Sequence, residues 1–190
     1  MATDWSRIVN FYAGPQSQPI QIDWQATGIG DPRTLSGRAY QDEGRIEYSP
    51  AVLEQLRALD PRRPNMEGVK ALVTLIHEAL HQRKSPGGWH VPENWPEGVP
   101  YPGSDGFRTW DDEHQAQALA ANLVPDALQR FFGVRFDSPL GQRYWRMARD
   151  AVRQWGYGMN PSDPLGAPTQ EWQDALRANG QLGPGFVRNL

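Results

Sequence analysis

Apolar residues recur at helical spacing through the middle of the chain. Val69, Leu72, Val73, Ile76 and Leu80 fall three and four positions apart, which predicts a helix from about Met66 to Arg83 with one face buried. The chain before it reads differently. Residues 20–24, "IQIDW", alternate apolar and polar, and residues 37–49, "GRAYQDEGRIEYS", read as two short strands joined by a turn at Asp42-Glu43-Gly44, so the first third is expected to be strands. Ser49-Pro50 opens a helix as cap and first helical residue, and "AVLEQLRAL" carries it to about Leu59, where Asp60-Pro61-Arg62-Arg63-Pro64 breaks it.

Beyond the central helix, residues 84–106 are too rich in Pro and Gly for helix or strand and read as a long loop: a lid, a binding loop or a disordered segment. Helical pattern returns at about Trp110 and is expected to end near Pro125. A Ser138-Pro139 cap starts another helix running to about Trp155, and residues 169–180 form a short one between Thr169 and Gly180. Strands followed by helices predict an α+β fold. The length of 190 residues fits a single domain over 1–190, with a core at about 20–125 and a helical C-terminal part at about 138–190.

Composition narrows the chemistry. A net charge of −3 and a pI near 5.8 leave no basic face for phosphates and exclude a nucleic-acid partner. No segment approaches the length of a membrane span, and "MATDWSRIVNFYAG" carries no charged leader with an apolar run, so a cytoplasmic protein is expected, one carried by a phage included. The absence of cysteine removes disulfides, thiolate ligands and cysteine nucleophiles together. Any metal must then be held by imidazole and carboxylate.

The chain has four histidines, His77, His81, His90 and His114. Two of them lie in "IHEALH" at 76–81, an HExxH pattern on the predicted helix. Residues four apart sit one turn above each other, so His77 and His81 project together and can grip one cation. Glu78 follows His77 by about 100° of rotation, which places its carboxylate beside such a cation. Zinc lowers the pKa of a bound water to about 7, and a neighbouring carboxylate can take the proton as that water attacks a carbonyl. The bland alternative is a helix turn with two surface histidines. A catalytic zinc also needs a third protein ligand. The long HExxHxxGxxH pattern is excluded, because Lys84 and Gly87 stand where its glycine and third histidine would fall. His90 in the loop and Asp111, Asp112, Glu113 or His114 on the next helix remain as candidates.

The run Glu113-x-x-Ala116-Gln117-x-Leu119-Ala120, continuing "ANLVP" to Pro125, resembles the ExxA(D/N)xxA helix that carries the glutamate ligand of gluzincin metallopeptidases, closest to the ImmA/IrrE-like group. The order of parts is similar too: a short hairpin, the HExxH helix, a variable loop, then the glutamate helix, over about residues 37–125. The resemblance implies a zincin-like fold, one zinc per chain held by His77, His81 and Glu113, Glu78 as general base, and a protein or peptide substrate. It departs at Gln117, where the family has Asp or Asn, and in the helix between hairpin and motif. Gln117 and His114 are candidates for supporting a ligand, and His90, Tyr101 and Arg108 for stabilising an oxyanion. The strand "GRIEYS" is expected to form a sheet edge that takes an extended substrate as an added strand. The competing reading is a metal-stabilised binding module, or a structural component of a larger assembly such as a phage particle.

Overall fold

The helix expected from the apolar spacing is the element around which the others are placed. It spans Met66–His81, and in the computed structural model, which describes residues 3–14, 16, 18–40, 43–82 and 112–155, every position from Val69 to Leu80 except Lys70 is buried. Asn65 caps it, its side chain accepting from the Gly68 N–H at 2.8 Å, and Glu67 meets the positive end of the helix dipole. A helix buried nearly all round must be covered on all sides. Among the described residues the elements, in chain order, are α1 (Trp5–Ala13), β1 (Gln21–Asp23), β2 (Gly37–Tyr40), β3 (Arg45–Tyr48), α2 (Pro50–Ala58), α3 (Met66–His81), α4 (Asp112–Phe132) and α5 (Pro139–Gln154). Helix α3 packs on α1, α2, α4 and α5 and on strands β2 and β3.

The architecture is mixed α+β, as expected from the pattern, with three differences. The chain begins with a helix rather than strands: Trp5, Ile8, Val9 and Tyr12 form the buried stripe of α1, and Asp4 caps it by accepting from the Ser6 N–H. The third of the chain read as strands therefore contains α1 as well as the sheet. Helix α4 does not stop near Pro125 but runs to Phe132. Proline costs the helix one N–H bond, but Ala120, Ala121 and Val124 before it and Ala127 and Leu128 after it are all fully buried, and that continuous apolar face outweighs the lost bond.

The third difference concerns the sheet edge. The strand order is β1-β3-β2, because β1 pairs in parallel with β3 (Ile22↔Ile46) while β2 pairs antiparallel with it (Ala39↔Ile46). "GRIEYS" is thus the central strand, with both edges occupied, and it cannot accept a substrate. Among the described residues the unpaired edge next to α3 belongs to β2. The hairpin turn falls where expected: Gly44 adopts φ 60°, a conformation glycine takes without steric cost.

Side-chain bonds fix these elements around α3. The Tyr48 hydroxyl donates to the Leu75 carbonyl at 2.8 Å, and the fully buried Gln82 amide donates to the Arg45 carbonyl at 3.0 Å, so β3 is tied to the turns of α3 that carry the HExxH residues. Tyr12 of α1 donates to Asp126 of α4 at 2.7 Å, and the Arg130 guanidinium lies 2.9 Å from both oxygens of that carboxylate. Burial raises the Asp126 carboxyl above the ordinary carboxylate range, and burial followed by the Asp126 charge raises the Tyr12 phenol. Among the described residues no helix is long and apolar enough to cross a membrane.

Candidate metal centre

His77, Glu78 and His81 lie in the last turns of α3, where the helix is surrounded by strand β2 and helices α4 and α5. Helical geometry brings the imidazoles together as the four-residue spacing requires: the two Nε2 atoms are 3.1 Å apart and the ring centroids 4.7 Å apart. Two nitrogens each about 2.0–2.1 Å from one tetrahedral ion would be about 3.3–3.4 Å apart. The pair therefore fits a single zinc with a shift of a few tenths of an ångström. Without an ion the same contact is a hydrogen bond in which an N–H of one ring donates to the bare nitrogen of the other. The donor set also fits, since imidazole nitrogen is a preferred zinc ligand.

Burial of His77 argues against a turn with two surface histidines, while His81 is half-buried. His77 is 5% exposed and Glu78 7%, in a helix whose neighbouring positions are Leu75, Ile76, Ala79 and Leu80. A buried carboxylate is costly unless it is paired or hydrogen-bonded, and leucine would pack such a position at no desolvation cost. Glu78 Oε1 lies 3.9 Å from His77 Nε2, so the carboxylate stands beside the convergent nitrogens. Its charge also reaches Tyr48: burial first, and then Glu78, push the Tyr48 phenol well above its ordinary value. At pH 7 Tyr48 is thus a neutral donor fixed to the Leu75 carbonyl.

One determinant of this geometry was not among the sequence candidates. A Cβ on Gly37 would lie 2.4 Å from Glu78 Cγ and 2.9 Å from both Cδ and Oε1. Only glycine at this point of β2 leaves the space in which the Glu78 side chain rests. Glycine inside a strand is itself a signal of close approach by another group, but nothing local in the sequence identifies that group.

The site opens into a cavity of about 650 Å³. Thr74, His77, Glu78 and His81 of α3 line one side, the 35–39 segment with β2 another, and Gln117 of α4 and Trp155 after α5 a third. Gln117, expected to support a ligand, is brought to the site and is 5% exposed. Glu113 lies one helical turn before it on α4, a spacing that puts both positions on one face of the helix. Comparison of the chain with protein families, curated proteins and solved structures finds no match. The site therefore stands on its own geometry. The side chains of Asp112, Glu113 and His114 lie outside the described residues, as do Asp111, His90, Tyr101 and Arg108, the 84–106 loop and the 169–180 helix. Among the described residues no group of three or more His, Cys, Asp or Glu side chains could hold a metal; of the ligands expected from the sequence, the described side chains are His77 and His81.

Proposed function

We propose that the chain is a zinc-dependent metallopeptidase with a zincin-like fold, hydrolysing peptide bonds in a protein or peptide substrate. The observation that carries this reading is the convergence of the His77 and His81 Nε2 atoms beside a buried Glu78 carboxylate, in a cavity bordered by the open edge of β2. His77, His81 and Glu113 would hold one zinc per chain, which supplies the Lewis acidity that polarises a carbonyl and makes water a nucleophile near neutral pH.

The chain's own groups do the rest. Glu78 is the general base: its carboxylate accepts the proton of the attacking water and delivers it to the leaving amine nitrogen. Gly37 fixes where that carboxylate rests, and the Tyr48–Leu75 bond holds the strand beside it against α3. The substrate lies extended along β2, paired through its main chain. Ser49 N–H donates to the Ser36 carbonyl at 2.9 Å, and hydrogen-bonded and non-hydrogen-bonded pairs alternate along an antiparallel ladder. The pairs Arg38↔Glu47 and Tyr40↔Arg45 therefore bond across to β3, while the N–H and C=O groups of Gly37 and Ala39 face the open edge. The substrate edge proposed for β3 from the sequence thus moves to β2, directly beside Glu78.

A metal-stabilised binding module or an assembly component would have no use for a buried carboxylate placed beside, rather than between, the two imidazoles. The test is hydrolysis of an unfolded polypeptide by zinc-loaded protein, measured before and after chelation and again on returning zinc. Chelation should abolish cleavage and lower the melting temperature, since an ion bound only by the folded state stabilises it. Cleavage that persists unchanged after the metal is removed would refute the reading.

A further inference from the structure

The outer face of the β2 edge carries a cation that the proposed chemistry does not use. Side chains alternate across a strand. Gly37 and Ala39 face α3, opposite the fully buried Tyr48 and Ile46, so Arg38 and Tyr40 share the other face with Glu47 and Arg45. Three of these four side chains are engaged with one another. The Tyr40 hydroxyl donates to Glu47 Oε2 at 3.0 Å, the Arg45 guanidinium pairs with Glu47 and, at 2.9 Å, with Glu43, and it also stacks over the Tyr40 ring at 3.8 Å. Arg38 is exposed and has no ion-pair partner among the described residues. Its cross-strand neighbour Glu47 is already taken by Arg45 and Tyr40. The residue also borders the cavity that holds His77 and Glu78.

Resting on the peptidase reading, we infer that Arg38 selects substrates with an acidic side chain at the register position opposite it on the added strand. Directly opposed residues of neighbouring strands have Cβ atoms about 4.5–5.5 Å apart, close enough for opposite charges to attract and like charges to repel. Glu47 lies one strand further away, and its charge is offset by Arg45, so Arg38 dominates the field at that position. Because the contact lies on the sheet face away from α3, it sets which peptides bind without touching the reacting groups. The preferred ligand is an extended peptide with Asp or Glu on alternate-residue register with the scissile bond.

The proposal is tested by binding, with the Glu78→Gln chain loaded with zinc so that peptides are not consumed. Fluorescent extended peptides, identical except for Glu, Gln or Lys walked through successive positions, are titrated at low and high salt. At one position Glu should bind up to about fivefold more tightly than Lys, with the difference shrinking as salt screens it. Arg38→Glu should reverse the order at that same position. Equal binding of Glu and Lys peptides at every position, or a preference that Arg38→Glu leaves unchanged, overturns the selectivity while leaving the peptidase reading intact. Failure of every peptide to bind, together with failure of the wild-type chain to cleave any, removes both.

Discussion

Glu78→Gln should fold, bind zinc as the wild type does, and lose hydrolysis by about 10²–10⁴-fold, the usual contribution of a positioned general base. The substitution keeps the shape of a side chain that is 7% exposed and fitted against Gly37, so packing has no reason to change. The deficit should appear in kcat with little change in KM, the signature of a group that acts only in the transition state. Single-turnover rates on an unfolded substrate, with metal content and melting temperature measured on the same preparations, separate this from misfolding. Equal rates for the two proteins would show that Glu78 is not the base.

Gly37→Ala should cost about as much by a different route. The added methyl would sit 2.4 Å from Glu78 Cγ, closer than real Cβ contacts come, so the carboxylate must move. A catalytic group displaced by about 1 Å can lose about 10²-fold in rate. The three atoms nearest the methyl all belong to Glu78, so zinc binding should persist while turnover falls. A Gly37→Ala protein with undiminished kcat would mean that Glu78 can act from another position, and would remove Gly37 from the account.

These two residues also show what could and could not be read from the sequence. His77, Glu78 and His81 are legible because the geometry that unites them is local: a spacing of four on one helix determines that the imidazoles meet. Gly37 is forty-one positions before Glu78 in the chain, and their contact exists only once β2 is laid against α3. The sheet edge was misassigned for the same reason. Whether β2 or β3 is central depends on β1 arriving in parallel to pair Gln21 with Arg45, and no hairpin signal encodes that. The missed helix α1 is another matter, since Trp5, Ile8, Val9 and Tyr12 carry its period openly. Pro125, read as a helix stop, was overridden by burial of the apolar face on both sides of it. Gln117 was named through the resemblance, and α4, packed on α3, carries it into the cavity wall with His77 and His81.

The spacing of the chain leaves several candidates for the third ligand, and the resemblance singles out Glu113 among them. Metal analysis of the purified wild-type chain beside Glu113→Ala and His77→Ala is the most direct measurement. The wild-type chain should hold about one zinc, His77→Ala should lose it, and Glu113→Ala should show a sharp fall in zinc affinity, because a catalytic zinc is held by three protein ligands. A wild-type chain without stoichiometric metal, whose melting and activity do not respond to added zinc, would contradict that expectation.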